Sequence, residues 1–161
     1  MDSDLPLVAL LSIKPQYAQA ILDGCKKVEF RKSNFRRTIS HIVIYATAPV
    51  MRVIGWFKPG KVRVSSPSQL WRRFSSVGGI GRKDFDRYYA NVESGVAIGV
   101  DSPRRLKRHL PLSAVTASPP PQNYIYLPQT ALRQIEQLQT KKLPAKRHSA
   151  RRKKSAPSTR A

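Results

Sequence analysis

Lys26, Glu29 and Arg31 lie in the stretch DGCKKVEFRK (residues 23–32), where one glutamate stands among four lysines and arginines. If the segment KVEFR is extended, Glu29 and Arg31 project from the same face about 7 Å apart, with Lys26 at the entrance to whatever hollow they share. Neighbouring cations hold such a carboxylate ionised, and it then accepts a hydrogen bond from a base, a ribose hydroxyl or water. The cations suit phosphate, so the group offers both signs of charge to a nucleotide, with the acid supplying discrimination rather than affinity. The same trio fits a second chemistry, in which Glu29 activates a ribose hydroxyl while Lys26 and Arg31 stabilise a charged phosphorane without a metal. It also fits a plain surface ion pair worth about 0–1 kcal/mol.

Several elements must hold these residues in place. PQYAQAILDG sets Tyr17, Ala18, Ile21 and Leu22 at helical spacing, with Pro15 suited to the first turn and Gly24 to the C-terminal cap. KVEFR then alternates, placing Val28 and Phe30 on a buried face and Glu29 and Arg31 on the other. HIVIYATA (41–48), RVIGWF (52–57), GVAIGV (95–100), RLKRHL (105–110) and NYIYL (123–127) read as strands. Ser68 is a candidate cap for a helix carrying Leu70, Trp71 and Phe74. Further helices are expected from Arg82 to Ala90 and over 128–139, the last aligning Leu132, Ile135 and Leu138. Gly78, Gly79 and Gly81 fall between two helices, which excludes a phosphate-cradling strand-to-helix loop. Five or six short strands with short flanking helices make an α+β domain, a small curled sheet or partly closed barrel.

The 161 residues carry 30 Lys and Arg against nine Asp and Glu, a net charge of +21. Such a balance calls for a polyanionic partner. All nine acids precede residue 139; residues 139–161 hold nine Lys and Arg, two prolines and one leucine, too little apolar surface to offset ordering. The expected organisation is therefore a domain over 1–138 and a disordered basic tail over 139–161 that adds sequence-blind affinity for nucleic acid. The longest apolar run, LPLVALLSI, is too short to span a bilayer, so no membrane partner is expected. Cys25 is the one cysteine, which excludes an internal disulfide and fits a cytoplasmic setting.

The segment SIKPQYAQAILDGCKKVEFRK resembles the opening of ASCH-domain proteins, whose signature is Gly-x-Lys-x-x-Glu-x-Arg after a helix; Gly24, Lys26, Glu29 and Arg31 fill the four places. The likeness continues through IVIYATAPVMRVIGWF, GGIGRKDFDRYYANVESGVAIGV and PPPQNYIYL, across roughly residues 7–138. The resemblance implies a PUA-like small β-barrel with a cleft beside the signature strand, and RNA or DNA binding. Some ASCH-like proteins are amidohydrolases of acetylated cytidine and some are ribonucleases. The amidohydrolase type would use a lysine and a threonine of this element and a later glutamate. Lys26 matches the first, but Glu29 occupies the threonine place and KPGKVRV, after RVIGWF, carries no acid.

The leading expectation is a module that binds nucleic acid, RNA in preference to single-stranded or modified DNA. Its candidate contacts are Lys14, Lys26, Lys27, Glu29, Arg31, Lys32, Arg36, Arg37, Tyr45, Thr47, Gln122 and Asn123. The alternative is a small metal-independent ribonuclease or nucleoside amidohydrolase with Lys26, Glu29 and Arg31 as the catalytic group. No cofactor or metal is called for: His41, His109 and His148 are scattered, and no His and carboxylate cluster has ligand spacing. Trp56 is either core or a stacking platform for a base.

Overall fold

The computed structural model describes residues 5–141. The chain forms β1 (Leu7–Ile13), α1 (Pro15–Leu22), β2 (Val28–Arg31), β3 (Ile39–Ala46), β4 (Arg52–Ser65), α2 (Pro67–Phe74), α3 (Arg82–Tyr88), β5 (Gly95–Leu110), a 3-10 turn at Leu112–Ala114, β6 (Tyr124–Leu127) and α4 (Ala131–Thr140). The strands make one mixed sheet in the order β2-β5-β4-β3-β1-β6. β1 and β3 run parallel and the other pairs antiparallel. This is the expected α+β class, but among the described residues no ladder joins the end strands β2 and β6, so the sheet does not close into a barrel.

β1 is apolar at nearly every position because it is covered on both faces. Ala9, Leu11 and Ile13 meet α1 through Ala18 and Ile21, whereas Val8 and Leu10 meet α4 through Ala131 and Ile135. Pro15 starts α1, where a missing N–H costs nothing, and Gly24 ends it at φ +79°. At Gly55 a Cβ would stand 2.5 Å from Leu22 Cδ2 and 2.6 Å from the Arg104 carbonyl, so only glycine lets α1 lie this close to the sheet.

A third apolar cluster joins β2 to α2 and α3. Phe30 meets Phe85 edge-on at 5.1 Å between ring centres, and Val28, Leu70 and Tyr89 pack beside them. Tyr89 seals the cluster, its hydroxyl donating to the Arg31 carbonyl at 2.9 Å. Burial pushes the Tyr89 phenol pKa up, so the fold favours its protonated form. That contribution is complete below the unfolded value near pH 10 and falls away as pH rises above it. Tyr89→Phe should cost about 1–2 kcal/mol at neutral pH and remove this residue's share of the alkaline loss, measured by urea unfolding at pH 8 and pH 11.

Several elements run further than the sequence patterns suggest. RVIGWF and KPGKVRV form one strand through Pro59 and Gly60, and GVAIGV joins RLKRHL through Ser102 (φ +49°) and Pro103. Register shifts in the β4–β5 ladder absorb these residues as bulges. Helix α2 is capped by Ser66, whose side chain accepts from the Gln69 N–H, rather than by Ser68. Helix α4 continues to Thr140 and its end is held by Arg108, which donates to the Leu138 and Gln139 carbonyls. Residues 139 and 140 are thus helical, Lys141 follows as the C-cap, and residues 142–161 of the proposed tail, with His148, lie outside the described residues. Among the described residues no helix is long and apolar enough to cross a membrane.

Candidate functional site

The open side of the sheet, between β2 and the β1–β6 rim, is a cleft of about 780 Å³. Its floor is the signature trio. Lys26, Glu29 and Arg31 are 2 %, 5 % and 9 % exposed. Glu29 sits between the cations, Oε1 3.4 Å from Arg31 Nη1 and Oε2 3.7 Å from Lys26 Nζ. The trio leaves one net positive charge beneath the cleft, which attracts an anion at a site shielded from water.

Each cation has a second task. The Arg31 guanidinium donates to the Ser12 carbonyl at 3.3 Å, to the Asn123 carbonyl at 3.1 Å and to Asn123 Oδ1, so it spans the gap that the sheet leaves open. Its planar fork suits several acceptors at once. Lys26 Nζ donates to the Gly78 carbonyl and lies 5.0 Å from the Phe30 ring centre and 5.4 Å from that of Tyr17. Burial lowers the Lys26 pKa, and Glu29 offsets part of that shift.

Lys26 is therefore buried beneath the cleft and is not at its entrance, because the glycines of the α2–α3 connection close over it. A Cβ on Gly79 (φ +60°) would stand 2.8 Å from Lys26 Cβ, and one on Gly78 would stand 2.7 Å from the Phe30 ring. The glycine cluster serves this close approach. A second correction concerns β2, whose four residues are all buried. The sequence alternation gives this strand a single buried face; instead α3 covers the Phe30 side and the β1–β6 rim faces the charged side.

The cleft brings together Lys14, Lys26, Glu29, Arg31, Lys32, Thr47, Gln122 and Asn123 of the expected contacts. Lys27 is exposed and points elsewhere, its backbone tied to the Val77 carbonyl and the Val100 N–H. Arg36 and Arg37 lie on the loop after β2, where the Arg36 N–H donates to the Tyr126 hydroxyl and Arg37 lines a separate hollow. Tyr45 is a core residue packed with Val43 and Val53. Strand alternation pairs it with Thr47, but β3 ends at Ala46 and Thr47 belongs to the following turn. Trp56 packs on the α4-side core with its ring edge-on to His41.

Pattern reading misses Ser12, Tyr17, Asp84, Arg87 and Tyr88, which also line the cleft. Asp84, Arg87 and Tyr88 stand at i, i+3 and i+4 of α3, a single helical face whose spacing is the available signal. Lys32 Nζ lies 5.1 Å from the Tyr88 ring centre, and Arg87 forms a loose pair with Asp84 at 3.8 Å. Aromatic walls above buried charge and exposed cations at the mouth suit a nucleotide, base inward and phosphate outward.

Solved structures share this arrangement of elements. The ASCH protein of Zymomonas mobilis superposes at TM-score 0.75 with 26 % identity, over 81 % of this chain and 94 % of that one. The chain has the fold of ASCH-domain structures and is similar to them in sequence. An ASCH domain-containing ribonuclease of Zymomonas mobilis is 32 % identical over 90 residues, 55 % of this chain and 61 % of the relative. The large ribosomal subunit protein uL22 of Ureaplasma parvum is 26 % identical over 119 residues, and this chain spans 38 % of the length of that relative. No family model matches the chain. Among the described residues no group of His, Cys, Asp and Glu is placed to hold a metal ion.

Proposed function

We propose that this ASCH domain binds single-stranded RNA, seating one nucleotide in the cleft beside β2 while Lys14, Lys32 and Arg87 take phosphates at its mouth. The observation that carries this reading is the burial of Glu29 between Lys26 and Arg31 at the floor of an aromatic-walled cleft. A carboxylate in that position accepts from an amino group or a ribose hydroxyl, and the surrounding positive charge attracts the backbone. Residues 142–161 add contacts without sequence preference in a reducing, cytoplasmic setting.

Fluorescence anisotropy with labelled oligonucleotides tests this. Affinity for RNA should fall steeply with salt, and deleting 142–161 should flatten the slope of log affinity against log salt. Glu29→Gln should change the order of preference among homopolymers by about tenfold while the mean affinity moves less than about threefold. An unchanged order would remove Glu29 from recognition.

A second reading is favoured by the relative named a ribonuclease and by the adjacency of Lys26 and Glu29. In metal-independent cleavage Glu29 takes the proton from a ribose 2′-hydroxyl, the freed oxygen attacks the adjacent phosphorus, and Arg31 and Lys26 neutralise the phosphorane as the 5′-oxygen leaves. Labelled RNA incubated in chelator separates the readings. Cleavage lost in both Lys26→Ala and Glu29→Gln with binding retained supports the enzyme, and intact RNA with the native chain removes it.

A further inference from the structure

Past Lys58, strand β4 has no neighbour on one side among the described residues. β3 pairs with β4 from Ile42 opposite Phe57 to Ala46 opposite Arg52, yet β4 continues to Ser65. Val62 to Ser65 pair with β5 alone among the described residues. In an antiparallel ladder successive residues aim their backbone groups at opposite neighbours, so every second residue here has an N–H and a C=O with no strand to meet them.

The side chains of this edge alternate in kind. Val62 and Val64 alternate with Arg63 and are 42 % and 57 % exposed, and Lys61 and Arg63 are exposed as well. The β4–β5 register shifts between Pro59 and Val62, beside the loop that precedes β3. The hollow between them, about 280 Å³, is lined by Phe35, Thr38, Ile39, Gly60 and Val62, none of which lines the cleft.

We infer that the free edge of β4 takes up an extended acidic peptide segment of another protein, which adds as a strand beside Lys61–Val64. The peptide backbone meets the unpaired amides, its acidic side chains meet Lys61 and Arg63, and its apolar ones cover Val62 and Val64. Charge selects this occupant. A second copy would set the same cations against each other, and residues 142–161 hold eight Lys and Arg and no acid. A polynucleotide has phosphates for the cations but no strand geometry for the backbone and no use for the valines. Lys and Arg on an edge strand ordinarily deter pairing with a like-charged chain, and the same charges admit an acidic one.

Amide hydrogen exchange on the full chain tests the proposal. The probe is a blocked peptide of alternating glutamate and valine, about seven residues long. Saturating probe should slow exchange of alternate amides within 61–65 by about tenfold or more, in a salt-sensitive manner. Substituting lysine for the probe's glutamates, or methylating its alternate amides, should abolish the effect, as should Lys61→Glu combined with Arg63→Glu in a protein of unchanged melting temperature. Four results would overturn it: no slowing at millimolar probe; slowing without probe that grows with protein concentration; slowing without probe that disappears when 142–161 are deleted; or slowing by an oligonucleotide in place of the peptide.

Discussion

Glu29→Ala should destabilise the domain by about 3–5 kcal/mol, because it leaves two buried cations facing each other without their anion. For a chain of this size that is a fall in melting temperature of about 10 °C or more, read by circular dichroism. Glu29→Gln keeps the shape and part of the hydrogen bonding, so its cost should be about half as large. Adding Lys26→Met to Glu29→Ala should recover part of the loss, since it removes one of the stranded charges. Arg31 retains the Ser12 and Asn123 carbonyls in either background. The double-mutant cycle over Lys26 and Glu29 should therefore give a coupling of about 1–3 kcal/mol. A coupling near zero would mean that the trio is an ordinary surface pair.

The mouth of the cleft should behave in the opposite way. Lys14, Lys32 and Arg87 are exposed, so replacing all three by alanine should change stability by less than about 1 kcal/mol. Affinity for single-stranded RNA at low salt should nonetheless fall about a hundredfold, and the slope of log affinity against log salt should shrink by about 2, roughly 0.7 for each phosphate that no side chain neutralises any more. The pair of experiments separates two roles that sequence charge alone does not. In the proposed function, charges on the floor organise the fold around a recognition group, and charges at the rim gather the polyanion. If the rim variant bound as the native chain does, the phosphates would lie elsewhere on this basic surface.

Local periodicity makes the helix at 15–22, the signature strand and the central strands legible, since a strand or helix buried on a given face carries its pattern within a few residues. What escapes depends on partners distant in sequence. Lys26 is buried by Gly78, 52 residues away, and Arg31 is held by Asn123, 92 residues away. Nothing in KVEFR indicates that α3 covers one side of the strand and the β1–β6 rim faces the other. The long strands β4 and β5 read as shorter pieces because Pro59-Gly60 and Ser102-Pro103 look like breaks, and bulges carry the pairing through both. Lys14, Lys32, Thr47, Gln122 and Asn123 are candidates by sequence and reach the cleft. Tyr45, Lys27, Arg36 and Arg37 do not, because alternation and net charge report a side chain's type and not the end of a strand or the direction of a loop.

A titration of the isotopically labelled full chain with a short single-stranded RNA, followed by backbone amide shifts, tests the central claim most directly. The amides of Ser12, Thr47, Tyr88 and Asn123, which come from four separate parts of the sequence and meet only around the cleft, should shift together along one saturable binding curve. Shifts confined to residues 142–161, with those four unmoved at saturation, would show that the cleft does not hold the nucleotide.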